Sequence, residues 1–211
     1  MTSSEEYPPL GFSFADAFKT WELQKGFPVI HVGLSMGKFV VTQERFFTEQ
    51  KKTSDDTSSW FIPLNYAIAR NPVFDDTTIT NIFLETTENL TIIPPKTFDT
   101  SQWFIFNKQQ LGFYRVNYDP ENWKNLIEGL NSSDYNQIHV LNRAQLVDDS
   151  ISLAAGDYLD YETTFGILSY LAQEVEYTPW KPAELFINQL YKTFGTSQKN
   201  LNVSFFLARF Q

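Results

Sequence analysis

The sequence predicts an antiparallel β-sandwich followed by an α-helical array, a β-then-α multidomain chain. Three observations predict it. First, about six β-rich runs fall within about 90 residues, separated by turn signals, and that spacing suits a sandwich better than a parallel sheet with crossover helices. Second, the apolar period changes after Tyr118 from about two to that of a helix. Third, the 211 residues are 42% hydrophobic and 17% aromatic, enough apolar area to offset the entropy of ordering the backbone.

In chain order, Phe12 to Gln24 reads as a short helix, with Phe14, Ala17, Phe18 and Trp21 at helical spacing and Gly26 and Pro28 ending it. Val29 to Val32, a turn at Met36-Gly37-Lys38 and Phe39 to Phe46 read as a hairpin. Lys51 to Ser59 is polar and predicts an exposed loop. Trp60, Ile62, Leu64, Tyr66 and Ile68 alternate as one face of a strand, which Asn71-Pro72 and Asp75-Asp76 break. Ile79 to Thr91 alternates more loosely, and Trp103–Phe106 with Phe113–Tyr118 reads as a pair of strands joined near Gly112.

Helices follow. Trp123, Leu126, Ile127 and Leu130 form one face of a helix that Asp119-Pro120 starts. Leu141, Ala144, Val147, Ile151 and Ala154 trace a second, ended by Gly156; Phe165, Leu168, Ala172 and Val175 trace a third; Phe186, Leu190 and Phe194 trace a fourth, ended by Gly195. Short connections between them predict an all-α array.

Composition excludes several functions. A net charge of −9 repels phosphate backbones, so no nucleic-acid partner is expected. The absence of Cys removes disulfides, thiolate zinc sites and cysteine nucleophiles. No run approaches the ~18 apolar residues of a membrane span, and Met1 to Leu10 lacks the basic and apolar regions of a signal peptide.

The candidates for chemistry are few. Two histidines, His31 and His139, lie far apart, and a catalytic zinc needs about three converging ligands; the expectation is His31 in a strand and His139 near a helix start, with no complete metal site. Gly-rich phosphate loops and the Gly-x-Ser-x-Gly elbow are missing. Asp55-Asp56, Asp75-Asp76 and Asp148-Asp149 read as solvated pairs, because adjacent side chains diverge. Glycosylation sequons occur at Asn89, Asn131 and Asn202, although 14 Asn and 34 Ser or Thr give about two by chance. The tryptophans Trp21, Trp60, Trp103, Trp123 and Trp180 sit in periodic apolar runs and read as core.

The run Trp21-Glu22-Leu23-Gln24-Lys25-Gly26-Phe27-Pro28-Val29-Ile30 resembles the end of the catalytic domain and first sandwich strand of M1 zinc aminopeptidases. The likeness continues in order through Val41–Phe46, Trp60–Leu64, Gly112–Asp119, Asn142–Asp149 and Tyr170–Trp180, with the character of the animal, and insect, aminopeptidase N group. The resemblance implies three parts: a remnant helix of the catalytic domain over 1–26, a β-sandwich over 27–118 and the start of a truncated C-terminal helical domain over 119–211. The family's His-Glu-x-x-His zinc helix and Gly-Ala-Met-Glu-Asn amine motif lie upstream of the matching region and are not in this sequence, so zinc is a cofactor of the parent family and no catalytic, cofactor-binding or metal residue carries over. In that family zinc-activated water attacks the first peptide bond and glutamates hold the substrate's amino terminus.

The expectation is therefore a non-catalytic C-terminal piece that meets peptide substrates only through the missing catalytic domain. The parent family is often at the extracellular face of the plasma membrane, with cytosolic members. The tail Asn202 to Phe210 departs from the family's continuation. The alternative is a binding or decoy module using the sandwich or the cut helical face to hold a protein partner. A third reading, an enzyme of another class, requires a pocket of converging titratable groups.

Overall fold

The computed structural model describes residues 13–48, 56–83 and 88–194. Helix α1 (Phe14–Glu22) leads into a long hairpin, β1 (Pro28–Ser35) and β2 (Lys38–Arg45). The two residues between them, Met36 and Gly37, both have positive φ (49° and 72°), the backbone that a two-residue hairpin needs to match strand twist. Short strands follow: β3 (Ile62–Leu64), β4 (Tyr66–Ile68), β5 (Asn81–Phe83), β6 (Leu90–Ile92), β7 (Phe104–Phe106) and β8 (Arg115–Tyr118).

The main sheet runs β6-β2-β1-β8, and two small antiparallel ladders, β3-β5 and β4-β7, complete the β region. The sheets are mixed, because β8 lies parallel to β1, pairing Val29 with Arg115 through Val32 with Tyr118. Two sequence expectations are corrected here. The run from Trp60 to Ile68 is not one strand: buried Asn65 interrupts it, and the chain changes partner from β5 to β7. Nor do β7 and β8 pair with each other, since a short 3-10 turn (Lys108–Gln110) redirects the chain between them.

The sheets bury a dense aromatic core. The Phe39 ring lies 4.6 to 5.4 Å from the rings of Phe98, Phe104, Tyr66 and Phe106, mostly edge-on or tilted, the geometry that aromatic quadrupoles favour. Trp60 and Trp123 are fully buried, and one contiguous apolar core runs from the strands into the helices.

The helices are α2 (Pro120–Leu130), α3 (Val140–Ala155), α4 (Tyr161–Leu168) and α5 (Tyr177–Phe194). Asp119 caps α2 by accepting from the Asn122 N–H with Pro120 at the first helical position, and Asp160 caps α4 through the Thr163 N–H at 2.7 Å. α3 packs on both α4 and α5. The expected third helix stops early: after Leu168 the chain tightens into a 3-10 turn (Ser169–Gln173), and Val175 is 85% exposed. In α1, Ala17 is buried and Trp21 donates to the Phe61 carbonyl, but Phe14 and Phe18 face outward, contrary to the expected buried face. Residues 51–55 of the expected loop, Gly195 and the tail lie outside the described residues. Among the described residues, no helix is long and apolar enough to cross a membrane.

Candidate functional site

A buried polar cluster lies where β8 meets α3. Asn142, Gln145 and Asp149 stand at i, i+3 and i+7 on one stripe of α3, and all three are buried. The Asn142 amide accepts from the Gln109 N–H at 2.8 Å and donates to the Asn107 carbonyl at 3.0 Å and to Gln145 Oε1 at 2.7 Å. Asp149 accepts from the Val116 N–H at 3.1 Å and from Arg115 Nη1 at 2.8 Å, while the same guanidinium nitrogen reaches Asp148 Oδ2 at 2.6 Å. The Arg115 guanidinium also lies over the rings of Phe46 and Phe27, 5.1 and 5.9 Å from their centres.

The loop feeding this cluster is held in an unusual backbone. Asn107, Gln109 and Gln110 all have positive φ (64°, 55° and 55°), a region costly for side chains other than glycine or asparagine. Side-chain amides hold it there: Asn65 Oδ1 takes the Lys108 N–H at 2.7 Å, and Asn107 Oδ1 takes the Gly112 N–H at 2.8 Å. Buried Lys108 donates to the carbonyls of Val73 and Asp76, and its burial holds its pKa below the ordinary value.

Burial dominates the electrostatics. It pushes the Asp149 carboxyl up to about 7; Arg115 opposes that shift and Asp148 adds to it. Burial also works against the Arg115 charge, but Asp149 and Asp148 outweigh it and hold its pKa above the ordinary value. Burial raises both Tyr114 and Tyr118 beyond the ordinary phenol range. A second charged contact ties the helices together: Arg143 on α3 grips Glu174 in a two-pronged ion pair at 2.7 and 3.1 Å and donates to the Ile138 carbonyl.

The sequence candidates fall as follows. His31 lies in β1, bonded to Glu44 at 2.8 Å and 3.5 Å from the Asn117 amide; His139 precedes α3, where its Nδ1 accepts from the Leu141 N–H. Both rings are engaged in separate local contacts, and the described residues contain no group of three or more His, Cys, Asp or Glu able to hold a metal ion. These residues therefore do not fit the zinc site that the aminopeptidase family implies. Asp56 accepts from Ser58 and lies 3.5 Å from Arg45, and Asp76 accepts from Thr78, while Asp55 is outside the described residues.

Asp148-Asp149 is the correction among the acidic pairs. It is not a solvated pair: Asp149 is buried, and the two carboxylates converge on one guanidinium. The signal that would have shown this is the polar stripe Asn142–Gln145–Asp149 running between the apolar faces of α3. Trp60, Trp103 and Trp123 are core, and Trp21 and Trp180 pack against it. Asn89 is exposed just before β6. Asn131 is exposed at the end of α2, where its side chain donates to the Ile127 carbonyl and accepts from Ser169. Asn202 lies outside the described residues.

The ERAP1-like C-terminal domain family matches residues 103–210. Aminopeptidase N of Plutella xylostella is 42% identical over 189 residues, which is 84% of this chain and 19% of that protein. The membrane alanyl aminopeptidase of Heliothis virescens is 35% identical over 181 residues (85% of this chain, 17% of that protein), and aminopeptidase N of Rattus norvegicus 34% over 184 residues (84% and 18%). The chain belongs to the ERAP1-like C-terminal domain family and corresponds to the C-terminal portion of an M1-type aminopeptidase. It spans about a fifth of the length of these curated relatives.

Proposed function

We propose that this chain serves as the non-catalytic sandwich and opening helices of an aminopeptidase and hydrolyses no peptide by itself. The observation that carries the reading is the match to aminopeptidases along 84% of a chain whose sequence contains no His-Glu-x-x-His segment. The chemistry of the whole enzyme, removal of an amino-terminal residue by zinc-activated water, would reside in the remaining four-fifths of such a protein.

The Arg115–Asp148–Asp149 cluster supports a structural role over an acid–base one. Asp149 gives one oxygen to Arg115 and the other to the Val116 N–H and Gln145, and those contacts bind α3 to the loop and strand before it. A general acid or base needs a proton site turned toward substrate. The sandwich would carry such an enzyme's helical domain at a set angle, through the β8–α3 contacts and the Asp119 cap. Incubating the purified chain with zinc and alanine p-nitroanilide tests this: we expect release of nitroaniline no faster than a protein-free zinc blank, and saturable turnover would overturn it.

A further inference from the structure

A cavity of about 410 Å³ opens beside the β8–α3 cluster, with Phe27, Asn107, Phe113, Arg115, Asp148 and Asp149 in its wall. Above about pH 7, where Asp149 is ionised, two carboxylates meet one guanidinium. Asp149 uses both oxygens inside the fold, but Asp148 is half exposed, and among the described residues nothing donates to its second oxygen. In the same cavity wall Phe113 is 71% exposed, its ring held 5.0 Å from that of Phe27. An aromatic this open, backed by a second ring, offers a ring face to whatever enters the cavity.

Arg115 shows what these surroundings accept. Its guanidinium lies over phenyl rings while one nitrogen bonds carboxylate, and the same cavity wall offers a further ring in Phe113 and the second oxygen of Asp148. Planar delocalised cations are weakly hydrated, stack on rings and fork onto carboxylates; a lysine ammonium is a compact, more strongly hydrated point charge that lacks the planar stacking and the fork. Above about pH 7, where Asp149 is ionised and offsets the neighbouring Arg115 charge, a second cation meets a net negative wall.

We propose that this cavity receives an arginine side chain presented by another polypeptide, its guanidinium stacked on Phe113 and hydrogen-bonded to Asp148. The contact is independent of peptide hydrolysis, so it stands or falls apart from the functional reading above. The Gly112 backbone fits it: a Cβ there would sit 2.2 Å from the Tyr114 ring, so the loop carrying Phe113 is packed tightly on its support.

The test is a titration of the full chain at pH 8, above the Asp149 titration, with N-acetyl-arginine amide, followed by backbone amide chemical shifts. The expected result is saturable shifts confined to the 110–115 loop and the middle of α3, at roughly millimolar affinity. The citrulline analogue, which keeps the shape and loses the charge, should bind at least about tenfold more weakly, and the lysine analogue should fall between them. Phe113→Ala, at an exposed position that leaves the fold intact, should weaken arginine binding about tenfold, and Asp148→Asn should do the same with Asp149 still holding Arg115. No saturable shift, citrulline binding as tightly as arginine, lysine binding as tightly as arginine, or unchanged affinity in Phe113→Ala would each overturn the proposal.

Discussion

Asn142 uses both ends of its amide to hold a loop that would not otherwise keep its shape. Its oxygen takes the Gln109 N–H and its nitrogen serves the Asn107 carbonyl, backbone groups of two of the three left-handed residues in that loop. Asn142→Ala therefore leaves a buried donor and acceptor unpaired and should cost about 2–4 kcal/mol, read as a lower urea midpoint with an unchanged slope. Asp149 makes a pH prediction. Its carboxyl is pushed from the ordinary 3.8 to about 7 by burial, so between those values the folded chain holds a proton that the unfolded chain has released. That contribution is complete below the unfolded value and is lost as pH rises through about 7. Melting temperature should fall between pH 5 and 8, and Asp149→Asn should flatten that slope; an equal slope in the variant would show that other groups set it. These roles were hard to read in sequence because the partners of Asp149 lie 33 and 34 residues away, and adjacency alone suggests that neighbouring carboxylates diverge.

Elements with their own local signal were legible, and those defined by long-range partners were not. α2 announces itself through Asp119-Pro120 and a clean apolar face, and the β1–β2 hairpin through Met36-Gly37 between two apolar runs. The break at Asn65 and the parallel pairing of β8 with β1 carry no such signal, because each depends on which distant strand is adjacent. The third helix looked longer than it is, since Ala172 and Val175 continue the apolar period past Leu168 while the chain there turns to bring Glu174 to Arg143. Asp119 does two jobs, capping α2 with Oδ1 and accepting the Leu34 N–H of β1 at 2.8 Å with Oδ2, so it joins sheet to helix. Asp119→Ala should cost about 1–3 kcal/mol, and Asp119→Asn should recover much of it, because the amide oxygen still caps; equal losses in urea titrations would show that the carboxylate charge matters more than the cap.

Across the whole molecule, one apolar core runs from the hairpin through the short strands into α2, α3, α4 and α5, and the polar joint at β8 and α3 is built into its edge. The strand-to-helix switch after Tyr118 was visible in the sequence because the apolar period itself changes there; the joint was not, because it is assembled from asparagines and aspartates that resemble loop residues when read singly. The two histidines are each committed to neighbours, one to Glu44 in the hairpin and one at the start of α3, which leaves them poorly placed to bind an ion together. The proposal that this chain hydrolyses no peptide by itself requires that the two histidines hold no catalytic zinc. Zinc stoichiometry measured on the purified full chain by competition with a chromophoric chelator tests it most directly. Our account predicts no uptake at chelator concentrations that leave a His-and-carboxylate enzyme site filled; one equivalent retained against the chelator, and lost on substituting His31 or His139, would contradict it.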